Sequence, residues 1–238
     1  MRIDLRKEVF CYNQVMDLNN KSVVIFGASG SLGKSLSELL SKENTKLFLL
    51  SREVESINIP KAKKIVADVK SSESVKKAFE EIDKETEGID LVINCVGVGL
   101  IKDLRETTEE EITNVIDTDL KGAIFVAKEA YRRMADKRFG YIINIISSSG
   151  RKSRPLETVY CAAKWGLRGF IESLQMAGEE MGVKVTGVYP GGIKSENFWK
   201  IVPGKDISAY LEPAFVAQKI IDLIKGNYQK ELLIERSQ

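Results

Sequence analysis

Residues 142–164, with the sequence IINIISSSGRKSRPLETVYCAAK, join an apolar run to an amphipathic segment through three consecutive serines. The run 142–146 predicts a buried strand, because every position except Asn144 is isoleucine. The segment 158–174 predicts a helix, because its apolar residues recur at three- and four-residue intervals. The residues with this spacing are Ala163, Leu167, Phe170, Ile171 and Leu174. A strand followed by a helix is the repeating unit of a parallel α/β sheet.

Tyr160 and Lys164 occupy positions i and i+4 of this helix and therefore share one face. A free tyrosine has a pKa of about 10, and a neighbouring cation favours the phenolate and lowers that pKa. We therefore expect Lys164 to tune Tyr160 for proton exchange with a substrate oxygen. Ser147, at the end of the strand, would hydrogen-bond the same oxygen. Because the pattern Tyr-x-x-x-Lys also arises by chance, this assignment depends on the rest of the chain.

The residue totals exclude several kinds of site. The chain of 238 residues contains no histidine, which rules out a Ser-His-Asp triad and argues against a catalytic metal, so no metal site is predicted. Its formal net charge of +2 gives no electrostatic case for nucleic acid or a membrane as partner. The three cysteines, Cys11, Cys95 and Cys161, form neither a disulfide framework nor a zinc-binding spacing. We expect them to be small packed residues rather than redox-sensitive ones.

The N-terminus is charged rather than apolar, so it does not predict a signal peptide. No apolar run approaches the ~20 residues that a membrane span requires, and we expect a cytoplasmic protein. Residues 1–20 are expected to form an N-terminal arm, and residues 21–238 a single domain with a sizeable core. The residues of the arm with helical spacing are Leu5, Val9, Tyr12 and Met16.

A glycine-rich turn follows the first predicted strand, Val23–Phe26. Its sequence, GASGSLG over residues 27–33, precedes a predicted helix that opens at Lys34 and Ser35. Glycines in such a turn let the backbone bend tightly and approach a pyrophosphate at the helix N-terminus. A glycine triplet alone is a weak signal, but its position between a buried strand and a helix predicts dinucleotide binding.

Strands and helices alternate along the rest of the chain, which predicts an α/β fold with a doubly wound parallel sheet of about seven strands. Ser71 is expected to cap one helix, and Thr108 with Glu111 another, which continues to about Lys137 with a break near Gly122. Turns rich in Gly, Ser or Asn follow the strands, and in such sheets the ligand crevice lies beyond the C-terminal strand ends. These turns should therefore converge on one cleft. The remaining predicted strands are Leu47–Leu50, Ile65–Ala67, Leu91–Ile93, Val183–Val188 and Leu232–Ile234.

Over about residues 17–236, these motifs resemble those of the short-chain dehydrogenase/reductase family in its short branch. The resemblance implies a Rossmann fold, a nicotinamide dinucleotide cofactor, and a Ser, a Tyr and a Lys that perform the chemistry. The matching residues are Asp68-Val69, Asn94 with Gly97, Ser147, Tyr160, Lys164 and Pro190-Gly191. The cofactor-binding residues implied are Gly27, Ser29, Gly30, Ser31, Leu32, Gly33, Ser51, Arg52, Asp68, Val69, Asn94, Gly97, Tyr160, Lys164, Pro190, Gly191, Ile193 and Ser195.

The glycine turn departs from the pattern of that family's short members. Phe26 stands where they usually have threonine, before Gly27. The glycines Gly27, Gly30 and Gly33 have the spacing of the extended branch, with Ser31 at the middle position. The length of the chain and the place of the tyrosine still favour the short branch.

Asp119 occupies the place where the family has an asparagine that helps to hold a proton-relay water, and we include it among the catalytic residues. If that role uses the backbone carbonyl, aspartate suffices; if it needs an amide donor, an ionised carboxylate supplies none. Asp119 and the glycine spacing would also fit a dinucleotide-sensing protein without turnover. The intact Ser147, Tyr160 and Lys164 argue against that alternative.

The residues after the second strand predict which dinucleotide binds. A dinucleotide places its adenosine ribose against the end of this strand, where an acidic residue selects NAD. Here Ser51 is small and uncharged, and Arg52 can bind a 2′-phosphate with two charge-assisted hydrogen bonds. Lys34 would add a second positive charge. The alternative is that Arg52 points into water, and we expect NADP(H).

Two segments give indications of the charge and the polarity of the substrate. Arg151, Lys152 and Arg154 would either attract an anionic substrate or form a solvated loop. In the family, the segment that is 194–211 here closes over the substrate. Its apolar residues favour an apolar carbonyl compound, and the alternative is a helix packed on the core. These residues are Phe198, Trp199, Ile201, Val202, Ile207 and Tyr210.

We therefore expect an NADP(H)-dependent oxidoreductase that interconverts a ketone and a secondary alcohol. A 3-oxoacyl thioester is the favoured substrate from the resemblance, and a hydroxysteroid or a sugar alcohol is the alternative. Family members commonly pair through the helices that here would span about residues 108–137 and 158–181. The resemblance therefore implies a homodimer or homotetramer.

Overall fold

The computed structural model of the protein describes residues 15–235 as a parallel sheet with helices on both faces. The predicted helical spacing from Leu5 to Tyr12 lies outside these residues, as does Cys11. Of the predicted arm, residues 15–20 are described, and both Met16 and Leu18 are buried. No helix in the described part of the chain is long and apolar enough to cross a membrane.

The sheet has seven strands in the order β3-β2-β1-β4-β5-β6-β7, and every neighbouring pair is parallel. The predicted doubly wound α/β fold is therefore confirmed. The chain moves outward from β1 to β3 and then from β4 to β7, so the order reverses between β1 and β4. The ligand crevice of an open α/β sheet lies at such a reversal. The strands are β1 (Ser22–Phe26), β2 (Lys46–Ser51), β3 (Lys63–Val66), β4 (Leu91–Asn94), β5 (Gly140–Ile145), β6 (Val183–Pro190) and β7 (Glu231–Ile234).

Both faces of the central strands are covered, which is why these strands are continuous apolar runs. In β1, Val23 and Ile25 belong to the core on one face of the sheet, and Val24 and Phe26 belong to the core on the other. All four side chains are almost completely inaccessible to solvent. Burial of one such side chain contributes about 1.5–3 kcal/mol to stability, so the central strands hold the strand ends rigidly at the crevice.

Two helix boundaries differ from those expected. The first helix begins at Ser31, before the predicted Lys34 and Ser35, because the chain turns into the helix directly after Gly30. The fifth continues past residue 174, where its apolar spacing ended, to Met181, the end implied by the resemblance, and it stops at Gly182, whose φ of +71° favours glycine. The helices are α1 (Ser31–Leu40), α2 (Ser72–Asp83), α3 (Glu109–Val115), α4 (Gly122–Lys137), α5 (Thr158–Met181), α6 (Glu196–Trp199) and α7 (Pro213–Ile224).

The predicted caps and the predicted break in the α3–α4 region are confirmed. Ser71 caps α2, and Thr108 with Glu111 forms a reciprocal capping box at the start of α3. Between α3 and α4 the chain forms a π-helical turn, Ile116–Lys121, which ends at Gly122. Such turns insert one residue into a helix and occur frequently at functional sites. This one directs Thr118 and Asp119 into the interior.

Candidate active site

The C-terminal ends of the central strands border a cavity of about 610 Å³, a size typical of ligand-binding sites. It lies at the predicted place, because the turns after β1, β2, β4, β5 and β6 all contribute to its walls. Every cofactor-binding residue predicted from the sequence lines this cavity except Asn94. Of the predicted catalytic residues, Ser147, Tyr160 and Lys164 line it, and Asp119 lies behind them.

The glycine turn lies at the bottom of the cavity, and its geometry requires glycine at two positions. Gly27 has a φ of +77°, and a Cβ there would lie 3.0 Å from the backbone of Cys95. At Gly33 a Cβ would lie 2.2 Å from the carbonyl oxygen of Gly27. Gly30 precedes α1 without a side-chain cap, so the first N–H groups of the helix remain available. A helix N-terminus of this kind favours an anionic group such as a pyrophosphate.

At the end of β2, Ser51 and the exposed Arg52 line the far side of the cavity. The hydroxyls of Ser51 and Ser29 are 2.5 Å apart, which joins the end of β2 to the glycine turn. Lys70 also lines this part of the cavity, whereas Lys34, the second cation expected from the sequence, does not. Because α1 starts earlier than predicted, Lys34 lies inside the helix on its exposed side.

Asn94 has contacts that differ from those of the other predicted cofactor residues. It is buried, and its amide donates to the Oδ1 atom of Asn144 at 3.2 Å. Its own Oδ1 atom accepts the N–H of Val96 at 3.2 Å. The side chain therefore joins β4 to β5 and shapes the turn that reaches the cavity, while Gly97 forms the wall itself.

The three residues expected to perform the chemistry converge as the helical spacing predicted. Tyr160 and Lys164 are both buried on one face of α5, with the Lys164 Nζ atom 5.4 Å from the centroid of the Tyr160 ring. Ser147 hydrogen-bonds with Tyr160. Its φ of +144° is unusual for a residue with a side chain, and such strained residues cluster at functional sites.

Asp119 reaches these residues from the π-helical turn. Its carboxylate is fully buried, and its Oδ1 atom accepts the backbone N–H of Val98 at 2.7 Å. The Oδ2 atom lies 3.4 Å from the Nζ atom of Lys164, in an ion pair whose two side chains are almost wholly inaccessible to solvent. Burial raises the pKa of Asp119, and the opposing effects of Lys164 and the Val98 N–H only partly offset it.

The expected lowering of the Tyr160 pKa was wrong for this structure. Burial raises the pKa of Tyr160 well above its usual value, and the charge of Asp119 raises it further. The hydrogen bond with Ser147 acts in the opposite direction but does not cancel these effects. The main physical reason is the burial of the phenol, and the second is the nearby Asp119 carboxylate, neither of which the sequence spacing reveals.

The basic residues between β5 and α5 already have partners. Arg154 donates to the Ser149 hydroxyl at 2.6 Å and to the Glu157 carboxylate at 3.2 Å, and both Arg154 and Glu157 line the cavity. Arg151 pairs with Glu231 at 2.5 Å. Arg151 and Lys152 are both exposed, which fits the predicted solvated loop.

An aromatic cluster covers Tyr160. The ring of Phe198 lies 6.1 Å from that of Tyr160, edge to face, and 5.0 Å from that of Trp199. Trp199 contacts Tyr210 with ring centroids 4.8 Å apart and donates its indole N–H to the Ile193 carbonyl at 2.8 Å. Phe198, Trp199, Ile201 and Tyr210 line the cavity, so the apolar segment 194–211 forms one of its walls.

Several cavity residues were not identified from the sequence. Asn114 and Thr118 reach the cavity from α3 and the π-helical turn, and Gly99 and Ile101 reach it from the loop after β4. Only the Gly97-x-Gly99 pattern after a buried strand could have suggested part of this set. The π-helical turn shifts the helical register, so periodicity gave no signal for the other residues.

The two described cysteines match the packing role expected of them. Cys161 is buried, and Cys95 lies in the turn after β4. Burial raises the pKa of the Cys95 thiol to about 12. A thiol with so high a pKa is almost wholly protonated near neutral pH, and the reactive thiolate is scarce.

Comparisons with known proteins agree with this geometry. The model of the short chain dehydrogenase family matches residues 21–206. Carbonyl reductase family member 4 of Danio rerio is 30% identical over 224 residues, which cover 88% of this chain and 93% of that protein. Galactitol 2-dehydrogenase of Agrobacterium fabrum is 29% identical over 194 residues, which cover 79% and 75% of the two chains. The solved structure of ElxO with NADP bound has a TM-score of 0.80 at 23% identity, covers 91% of this chain and 97% of ElxO, and shows a shared fold.

Proposed function

The chain belongs to the short-chain dehydrogenase family of oxidoreductases, and we propose that it interconverts ketones and secondary alcohols with NADP(H) as cofactor. The observation that carries this proposal is the convergence of Ser147, Tyr160 and Lys164 on one cavity at the crevice of the sheet. The relatives named carbonyl reductase and galactitol 2-dehydrogenase support the same type of reaction.

The cavity has the features that a dinucleotide requires. The cradle formed by Gly27 and Gly33 and the uncapped N-terminus of α1 would hold the pyrophosphate. Arg52 would bind a 2′-phosphate at the end of β2, where Ser51 takes the place of the acidic residue that selects NAD. Lys70, on the same wall, adds positive charge. The structure of ElxO with NADP bound, which shares this fold, supports a nicotinamide dinucleotide as cofactor.

Tyr160 and Ser147 would handle the substrate oxygen. The bound cofactor would supply or accept a hydride at the carbonyl carbon. In reduction, the Ser147 hydroxyl donates a hydrogen bond to the carbonyl oxygen, and Tyr160 donates its proton as charge develops there. The raised pKa of Tyr160 keeps its phenol protonated at neutral pH, which is the state that a proton donor needs. Lys164 lies beside Tyr160 and would hold a cofactor ribose, as the resemblance implies.

The substrate side of the cavity favours a largely apolar carbonyl compound. Phe198, Trp199 and Ile201 form an apolar wall directly over Tyr160. A 3-oxoacyl thioester suits this wall and remains the favoured substrate, with a hydroxysteroid as the alternative. A sugar alcohol is the second candidate, because Asn114 and Arg154 supply polar groups to the cavity lining, and one relative is named as a galactitol dehydrogenase.

A cofactor and substrate screen tests this proposal. Acetophenone, a 3-oxoacyl thioester, a steroid ketone and a ketose would each be offered with NADPH and with NADH, and loss of the reduced nicotinamide followed by absorbance. We expect turnover with NADPH and at least one apolar ketone. NADPH binding by fluorescence, without turnover of any ketone or of the matching alcohols, would contradict the proposal and favour a dinucleotide sensor.

A further inference from the structure

The buried ion pair between Asp119 and Lys164 has no role in the reaction proposed above. Both side chains are almost wholly inaccessible to solvent, and their closest charged atoms are 3.4 Å apart. The Oδ2 atom of Asp119 accepts no hydrogen bond among the described residues, whereas Oδ1 is fixed by the Val98 N–H. The carboxylate is therefore held with one oxygen aimed at the ammonium group beside the catalytic tyrosine.

We propose that Asp119 is a positioning residue that holds Lys164 in this ion pair, and thereby confines alcohol oxidation at this site to alkaline pH. Tyr160 is left as a proton donor for carbonyl reduction across the neutral range. This inference rests on the proposed function, because it concerns the protonation state of the same tyrosine.

The charges around Tyr160 lead to this conclusion. Four ionisable groups face it: Asp119 from the π-helical turn, Lys164 and Cys161 from α5, and Glu157 from the position just before α5. A lone ammonium group would favour the phenolate, but a carboxylate at ion-pair distance cancels most of that field. The segment that covers the ring contributes the apolar Phe198. A phenolate in this place therefore has little stabilisation beyond the hydrogen bond from Ser147.

Reduction and oxidation require Tyr160 in different protonation states, so the rates of the two directions depend differently on pH. In reduction, the carbonyl carbon gains a hydride from the nicotinamide cofactor, the C=O π pair moves to oxygen, and the oxygen takes the Tyr160 proton. In oxidation, Tyr160 must first lose its proton to solvent, then accept the hydroxyl proton while the hydride leaves carbon for the oxidised cofactor. Only oxidation needs the phenolate at the outset, so its rate follows the small ionised fraction of Tyr160.

Replacement of Asp119 by asparagine isolates the effect of the charge. Asp119→Asn keeps the shape and an oxygen that accepts the Val98 N–H, but it leaves the Lys164 ammonium unpaired. With the anion gone, the pKa of Tyr160 must fall, so the alkaline rise in oxidation must move to lower pH. A charge within a few ångströms shifts a pKa by about 1–3 units, so we expect a shift of about one unit or more. The matched control is Asp117→Asn, which removes a carboxylate of the same turn that pairs with Lys121 instead.

Two measurements test the proposal. The first is the pH dependence of kcat/KM for oxidation of 1-phenylethanol with NADP⁺ by the wild type and both variants. The second needs no turnover: phenolate absorbance is titrated in each protein without cofactor and compared with the same protein carrying Tyr160→Phe, so that the difference reports Tyr160 alone. We expect Asp119→Asn to move both midpoints to lower pH and Asp117→Asn to move neither.

The outcomes separate this inference from the proposed function. Unchanged midpoints in Asp119→Asn, or an equal shift in Asp117→Asn, would overturn the role of Asp119. If 1-phenylethanol is not oxidised by any of the proteins, the phenolate titration still decides the role of Asp119. In that case the proposed substrate class would be wrong, whatever the titration shows about Asp119.

Discussion

At the scale of single residues, Tyr160 lies beside Lys164 on one helix face, and Lys164 pairs with Asp119 from another element. The i, i+4 spacing placed Tyr160 and Lys164 on one helix face, and the structure confirms it. The sign of the Tyr160 pKa shift could not be obtained in this way, because it depends on burial and on Asp119, which belongs to another element. Spacing in the sequence determines which side chains are neighbours on a helix. The Asp119 carboxylate, in contrast, is brought next to Tyr160 and Lys164 by the tertiary fold.

The proposed preference for NADP(H) rests on Arg52. A charged hydrogen bond to a 2′-phosphate contributes about 1.5–3 kcal/mol, so NADPH should be preferred over NADH by roughly ten- to a hundredfold. We expect Arg52→Ala to abolish most of this preference, and added salt to weaken it, because Arg52 is exposed. The measurement is kcat/KM with each cofactor.

Lys34→Ala is the matched control for Arg52→Ala, because Lys34 is also exposed but lies outside the cavity. Its cofactor preference should equal that of the wild type. A wild-type enzyme that uses both cofactors equally well, or an Arg52→Ala variant with an undiminished preference for NADPH, would show that the assignment of Arg52 is mistaken.

At the scale of elements, the sequence predicted the strands to within a few residues, because buried parallel strands are unbroken apolar runs. The start of α1 was harder to predict, since Gly30 and Ser31 have poor intrinsic helix propensity and only the close packing at Gly33 reveals the turn. The contact between the loop after β4 and the segment 194–211 could not be predicted, because it joins two irregular segments far apart in sequence.

Gly99 is the place where these two segments touch. A Cβ there would lie 2.6 Å from the Ile201 Cδ1 atom and 2.7 Å from the Phe198 ring. The new methyl group can be accommodated only if the Ile201 side chain and the Phe198 ring move, so Gly99→Ala should displace the apolar wall over Tyr160. We expect the KM for acetophenone to rise roughly tenfold while the Kd for NADPH, measured by fluorescence, stays the same.

The double variant Gly99→Ala with Ile201→Ala provides the control, because it removes the side chain that the new methyl group would meet first. Its KM should return toward that of the wild type. If Gly99→Ala leaves the KM unchanged, or weakens NADPH binding equally, the segment 194–211 does not form the substrate wall that we describe.

At the scale of the whole molecule, the alternation of strands and helices was enough to predict the fold and the place of the cleft. The reversal of strand order between β1 and β4 brings segments from most of the chain to one edge of the sheet. The one predicted cofactor residue that lies off the cavity, Asn94, is a buried side chain whose partner is another strand. A sequence motif alone does not distinguish such a supporting role from direct contact.

Assembly is expected to involve α4 and α5. Large apolar side chains on α5 are exposed to solvent, with Trp165 at 44% and Met176 at 70%. Their burial against a second copy would stabilise a homodimer or homotetramer. Light scattering at micromolar concentration should therefore give a mass of about two or four times the 26.6 kDa of one chain.

Met176→Glu should shift this mass toward the monomer, because it would bury a charge in the interface. The control is Val66→Glu, at an equally exposed position on β3 away from both helices. A wild-type protein that scatters only as a 26.6 kDa species, or a Val66→Glu variant that dissociates equally well, would refute assembly through these helices.

The role of Tyr160 in proton transfer is tested most directly by Tyr160→Phe, which removes one hydroxyl and keeps the ring against Phe198. The measurement is kcat for reduction of the best ketone from the screen, with NADPH affinity followed by fluorescence in the same samples. Because a positioned general acid contributes roughly 10²–10⁴ to the rate, we predict that kcat falls by at least about a hundredfold while NADPH binds nearly as before. A Tyr160→Phe enzyme with near-normal kcat would contradict the catalytic assignment.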